Sequence, residues 1–133
     1  MPEPTAAGIV RRPADVVAFL ELGGLPPVGT QLVLGLAVAE AVPGALAVCA
    51  LAERPEPGAL DARQLTDLAA VLQVGTVVLV TIGRAGPPTR AELSRFVTWR
   101  RRCADDGVVL LDWITHTGRV WWSLRERIVH ETA

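Results

Sequence analysis

The side chains that most often do chemistry in proteins are few in this chain and widely spaced. It has two histidines, His116 and His130, two cysteines, Cys49 and Cys103, and no lysine. A zinc site needs His and Cys ligands at characteristic spacings, and the phosphate-binding loop G-x-x-x-x-G-K-[ST] needs a lysine amine. The sequence therefore predicts no metal site, no bound cofactor and no loop of this type.

One constellation near the C-terminus could support hydrolysis. Asp112, His116 and Ser123 surround a short turn, but a serine nucleophile must lie within hydrogen-bond reach of its histidine base. In the hairpin predicted below, these side chains lie at different levels. A small hydrolase is therefore the least favoured of three hypotheses, and we do not expect the protein to be an enzyme.

A loop after the clearest strand of the chain is a candidate anion site. Thr76–Ile82 is apolar and rich in β-branched residues, and Gly83, Arg84 and Gly86 follow it before a helix that Thr89 can cap. Ligands of open α/β sheets bind where strands end, and the N-terminus of a helix favours anions. Two glycines and one arginine also suit a plain connecting loop, which is the favoured interpretation. A small-molecule or nucleotide site here is the second hypothesis.

Charge and hydropathy limit the partners. The formal net charge is −1, so no global attraction to nucleic acid or anionic lipid exists, and Arg100-Arg101-Arg102 is best explained as a solvated helix face. The uncharged stretch Leu22–Ala39 is broken by glycines and prolines, unlike a membrane helix. We expect a cytoplasmic protein with reduced, buried cysteines. A mean hydropathy of +0.36 predicts a thick core and a homo-oligomeric or protein–protein interface.

Hydrophobic periodicity and turn signals predict eight elements in the order α-β-β-α-β-α-β-β. They lie in a single domain over residues 12–125, between a flexible lead-in, 1–11, and a tail, 126–133. The predicted helices begin near Pro13, after Asp61 and after Thr89, the last two with reciprocal capping boxes completed by Gln64 and Glu92. Alternating strands and helices predict an α/β fold, a mixed sheet of about five strands covered by helices.

The final hairpin contains three of the four tryptophans, Trp113, Trp121 and Trp122. Indole rings are costly to leave in water, so the hairpin needs a core or a partner to cover them. A two-residue turn would require a positive φ at Thr117, which a β-branched residue resists. We therefore predict a three-residue loop, His116-Thr117-Gly118, with Gly118 left-handed.

That register decides which side chains share a face of the hairpin. One face would carry Leu111, Trp113, Thr115, Arg119 and Trp121, and the other Leu110, Ile114, Val120, Trp122 and Leu124. The first face pairs Trp113 with Trp121 beside Arg119, an arrangement suited to a cation–π contact. Three interpretations stay open: the tryptophans are core, as aromatic residues usually are, or they form a subunit interface, or they form a platform for a planar ligand.

Several segments together resemble a known family. They are Pro13-Ala14-Asp15-Val16-Val17, Leu22–Pro27, Leu32–Val38, Thr76–Val80 and Gly118–Ser123. Similar segments mark domain of unknown function four-one-nine-two, found in high-GC Gram-positive bacteria, with a P-A-D-hydrophobic opening, a Leu-Gly-x-x-Pro loop and a G-R-W-W-S ending. Here Val120 is inserted into that ending. The family has no established activity, so the resemblance implies the architecture and no mechanism.

These observations favour a non-catalytic binding or regulatory module that self-associates. The alternative is a small-molecule or nucleotide binder, using either the loop after Ile82 or the face made by Trp113, Arg119 and Trp121.

Overall fold

The computed structural model describes residues 8–39, 43–54, 61–83 and 87–126. Its strands are β1 (Ile9–Val10), β2 (Gln31–Val38), β3 (Leu46–Arg54), β4 (Thr76–Ile82), β5 (Val109–His116) and β6 (Trp121–Ser123). Its helices are α1 (Pro13–Leu22), α2 (Ala62–Leu72) and α3 (Arg90–Asp105), and a further helical turn begins at Leu124. The α/β class is confirmed.

All six strands form one mixed sheet in the order β1-β3-β2-β4-β5-β6. The β2–β3, β2–β4 and β5–β6 pairs are antiparallel, whereas β4 and β5 are parallel and joined by the α3 crossover. The prediction of about five strands missed β1, whose residues lie in the predicted lead-in. Two residues carry no periodic signal, and β1 exists only because Ile9 and Val10 pair with Ala47 and Leu46.

The central strands are buried on both faces, which explains their uninterrupted apolar sequences. In β2, Leu32, Leu34 and Leu36 face α1, while Val33 contributes to the opposite core beneath α2 and α3. The same alternation runs along β4. Two helices therefore cover one face of the sheet, and the short helix α1 covers the other.

Both predicted capping boxes are present. Asp61 Oδ1 accepts the Gln64 amide at 2.9 Å while Gln64 Oε1 accepts the Asp61 amide at 3.2 Å. Thr89 and Glu92 bond reciprocally at 3.1 and 2.9 Å. Each pair satisfies backbone donors that have no partner inside the helix, so α2 and α3 begin where the sequence predicts.

The predicted register of the final hairpin is wrong. The observed pairs are His116 with Trp121, Thr115 with Trp122 and Ile114 with Ser123, so the connecting loop has four residues, 117–120. The Thr117 side chain shapes this loop, because its Oγ1 accepts the Val120 amide at 3.0 Å and donates to the Val120 carbonyl at 3.1 Å. The three-residue shift exchanges the faces of β6 relative to the prediction.

Gly118 adopts a φ of +96° within this loop, a conformation that strains any residue with a Cβ atom. We expect Gly118→Ala to lower the free energy of unfolding by about 1–2 kcal/mol, the usual penalty for a left-handed L-residue. Gly75→Ala is the matched control, because Gly75 has an ordinary φ and open space around the added methyl group. Urea unfolding measures both. Equal losses in the two variants would contradict the proposed strain at Gly118.

Candidate functional site

The structure does not bring the predicted tryptophan–arginine face together. Trp113 lies on the α3 side of the sheet, where its ring stacks on Trp99 with centroids 5.3 Å apart and planes at 19°. Its Nε1 donates to Thr81 Oγ1 at 3.1 Å. Trp121 packs against the α1-side core instead, and Arg119 is exposed in the loop. Trp113 is therefore a core residue, and no shared surface joins it to Trp121.

The candidate anion loop after β4 lies partly outside the described residues. The Gly83 amide donates to the His116 carbonyl at 2.9 Å, so Gly83 extends the pairing between β4 and β5. Arg84 and Gly86 belong to the part of the chain that the structure does not describe. Thr89, at the far end of the loop, uses its hydroxyl to cap α3.

Asp112, His116 and Ser123 lie on one face of the β5–β6 hairpin, and all three are buried. Ser123 Oγ donates directly to Asp112 Oδ2 at 2.6 Å, while His116 Nδ1 accepts the Gly118 amide at 2.9 Å. A hydrolytic triad requires the histidine between the serine and the carboxylate. No hydrogen bond between described residues joins His116 to Ser123, so the geometry lacks this relay.

Asp112 and Ser123 instead cap the helical turn that follows β6. Asp112 Oδ1 accepts the amide of Arg125 at 3.0 Å and that of Trp113 at 2.7 Å. Ser123 Oγ accepts the Glu126 amide at 3.2 Å. Ser123 and Glu126 have the S-x-x-E spacing of a capping box, a signal in the sequence that marks the start of this turn. The carboxylate thus holds the C-terminal turn against β5.

Burial raises the pKa of Asp112 above 3.8, and the hydrogen bonds from Ser123 and from the amides of Arg125 and Trp113 act in the opposite direction. The side chain is only 3 % exposed. Desolvation penalises the charged carboxylate, and the three donors compensate only in part.

A small pocket of about 140 Å³ opens beside Asp112, between the first turn of α1 and the sheet. Its apolar wall includes Val10, Val16, Leu46, Val78 and Leu111, and its charged residues are Arg11, Arg12, Asp112 and Arg125. The three arginines are exposed at the rim, whereas the aspartate is buried. None of the arginines was singled out from the sequence, since arginine is the ordinary cation of this chain.

A larger apolar groove of about 590 Å³ lies at the other end of α1. Its lining residues are Phe19, Leu20, Leu22, Gly23, Gly24, Pro26, Pro27, Leu32, Leu51 and Glu53. Leu22 is 73 % exposed and Leu51 49 %, and Val28 in the adjoining loop is 68 % exposed. Large apolar side chains so exposed around one depression are typical of interaction surfaces.

A third depression, between α2 and α3, is polar. Asp61, Asp67, Asp105 and Asp106 line it together with Arg63 and Arg102. Within the described ranges, no group of three or more His, Cys, Asp and Glu side chains is placed to hold a metal ion. Asp106 is the C-terminal cap residue of α3 and is exposed to solvent.

No helix in the described part of the chain is long and apolar enough to cross a membrane. Comparison with protein-family models and with curated proteins finds no match for this chain. The resemblance to domain of unknown function four-one-nine-two therefore stays a prediction.

The raised pKa of Asp112 predicts an unusual pH dependence. Above pH 3.8 the unfolded carboxyl loses its proton before the folded one does, so its contribution to stability falls as pH rises toward the folded-state pKa. We expect Asp112→Asn to abolish this fall and Ser123→Ala, which removes a donor to the charged form, to strengthen it. Urea unfolding from acidic to neutral pH measures both variants.

Asp15→Asn is the matched control, because the pKa of Asp15 is lowered whereas that of Asp112 is raised. The amides of Arg11 and Arg12 donate to Asp15 Oδ2 at 2.8 and 2.9 Å and lower its pKa. Asp15 thus stabilises the fold above pH 3.8, and this contribution is lost as pH falls through its lowered pKa. Parallel pH profiles for wild type and Asp112→Asn would contradict the assignment to Asp112.

The two thiols differ in accessibility. Both cysteines are free, as expected, but Cys49 is exposed rather than buried, while Cys103 is fully buried. Burial, together with the negative charge of Asp106, raises the pKa of Cys103 to about 11. Because the thiolate is the reactive form, we expect one fast-reacting thiol in the native protein.

Ellman's reagent at mildly alkaline pH measures this difference. The fast phase should disappear in Cys49→Ser and persist in Cys103→Ser, and Cys103 should react only when denaturant is added. A fast reaction of the native protein that survives Cys49→Ser would contradict this assignment. It would show that α2, whose Ala62 lies against Cys103, moves away readily.

Proposed function

We propose that this protein is a non-catalytic binding module that associates with a second copy of itself. The observation that carries the proposal is the apolar groove at the C-terminal end of α1, which is lined by the exposed Leu22 and Leu51 and has the exposed Val28 in the adjoining loop. Removing such side chains from water stabilises an interface by about 25 cal/mol for each Å² of apolar surface buried.

A second copy suits this surface because the patch contains both a depression and projecting apolar side chains. In a two-fold dimer each subunit offers the same patch to the other, so Leu22 of one copy can enter the groove of its partner while its own groove receives the partner's leucine. Among the residues that the structure describes, Glu53 is the only charged one lining the groove. A net charge of −1 adds little repulsion between copies.

The lack of a serine–histidine relay among the described residues supports a non-catalytic role. Free cysteines support a reducing, cytoplasmic location as part of the same proposal. Membership in domain of unknown function four-one-nine-two also belongs to the proposal, and it rests on the segments Pro13–Val17, Leu22–Pro27 and Gly118–Ser123 and on two others within the sheet.

Light scattering across a range of protein concentrations tests self-association. We expect the wild type to reach the mass of a dimer, and Leu22→Glu and Leu51→Glu to stay monomeric, because each places a charge in the apolar interface. Val71→Glu is the matched control, since Val71 is 78 % exposed on α2, on the opposite face of the sheet. Its mass should equal that of the wild type.

A wild type that is monomeric at every concentration would overturn the proposal. Trp121→Ala distinguishes the interface on α1 from one built on the tryptophan hairpin. If Trp121→Ala is monomeric while Leu51→Glu keeps the mass of the wild-type dimer, the interface lies at β6 and not at α1.

A further inference from the structure

The pocket at the N-terminal end of α1 combines features that a plain surface depression lacks. It is small, it is walled by apolar side chains, and it has a buried carboxylate among three arginines. It shares no lining residue with the groove proposed above for self-association. Whatever it binds is therefore independent of that proposal.

The charges at the rim favour an anion. Arg11, Arg12 and Arg125 line the opening, and among the described residues Asp112 is the one acidic residue of the lining. Asp15 lies next to the pocket and takes the backbone amides of Arg11 and Arg12. Even with both carboxylates counted as charged, three guanidinium groups leave a positive balance. Guanidinium is the side chain best shaped to hold a carboxylate by two parallel hydrogen bonds.

The interior of the pocket adds two requirements. Its apolar wall, which includes Val16, Val78 and Leu111, suits a short hydrocarbon segment. Asp112 is an acceptor at the polar end of this wall. A carboxylate offers about four acceptor positions, and three are taken, two on Oδ1 and one on Oδ2. One further donor can therefore bond to Oδ2.

The volume limits the size of the ligand. Pockets that hold drug-sized molecules measure roughly 300–1,000 Å³, whereas this one measures about 140 Å³. A nucleotide or a sugar phosphate is too large for it. A molecule with a few carbon atoms fits.

We propose that this pocket binds a short aliphatic carboxylate that also carries a hydroxyl or ammonium group. The carboxylate lies against the arginines at the rim, the carbon chain lies along Val16, Val78 and Leu111, and the hydroxyl or ammonium group donates to Asp112. Among its described lining residues, the pocket contains none of those singled out above for an anion site after β4, and none of Trp113, Arg119 and Trp121.

Heteronuclear NMR titration of the full chain tests the proposal with four matched probes: 2-hydroxybutyrate, 2-aminobutyrate, butyrate and butylamine. The first two have both groups, butyrate has no donor for Asp112, and butylamine has no carboxylate. We expect saturable shifts at the amides of Val10, Leu111 and Arg125 with at least one of the first two probes. Butyrate should bind about tenfold more weakly, the value of one hydrogen bond to a charged group, and butylamine should not bind.

The stronger of the first two probes identifies the donor as a hydroxyl or an ammonium group. Arg12→Gln and Arg125→Gln should each weaken its binding by about tenfold, because each removes a charged contact with the carboxylate. Arg102→Gln, on α3 beyond the opposite face of the sheet, is the control and should bind as the wild type does. These exposed positions avoid the loss of folding that Asp112 variants risk.

Two results would overturn the proposal. One is the absence of saturable shifts around the pocket with both two-group probes. The other is equal weakening by Arg102→Gln and Arg125→Gln, which would show attraction to the overall charge rather than to this site. None of these substitutions lies in the apolar groove, so light scattering should give the three arginine variants the same mass as the wild type. A loss of ligand binding at unchanged mass is then a result about the pocket and not about self-association.

Discussion

The burial of the central strands on both faces is the constraint on which the rest of this structure depends. Leu34 of β2 and Leu79 of β4 belong to cores on opposite sides of the sheet, so both faces must be covered. One face has α2 and α3, with 11 and 16 residues. The other has α1, with ten residues, which is about 15 Å of helix. Six strands spaced by about 4.8 Å extend roughly 24 Å across, so α1 cannot cover its face alone.

Both candidate binding surfaces lie at the ends of α1, because this helix is shorter than the sheet is wide. At the C-terminal end of α1, the uncovered part of the sheet is apolar and produces the groove beside Leu22 and Leu51. At its N-terminal end, α1 leaves the pocket beside the buried carboxylate of Asp112, and the arginines of the flanking segments line the opening. The same cause thus produces an apolar surface at one end and a charged pocket at the other. The difference lies in the residues that each end of the helix exposes.

The parts of the fold that local interactions decide could be predicted from the sequence. The capping boxes at Asp61 and Thr89 and the apolar strand β4 depend on residues close together in the chain. The hairpin register could not be predicted from general turn preferences, because the Thr117 side chain stabilises a longer loop than those preferences favour. Strand β1 could not be predicted either, since its two residues are ordered only by pairing with the distant β3.

The candidate sites were less predictable than the fold, and Asp112 shows why. From the sequence it is one of three polar residues around a turn, and it invites comparison with a hydrolytic triad. Its partners are decided by the register of β6, which places Ser123 on its face of the sheet and within 2.6 Å of its carboxylate. The arginines of the pocket come from segments separated by more than a hundred residues. Only the folded chain brings the first turn of α1 and the turn after β6 to one opening, so no spacing rule along the chain could have marked them as a group.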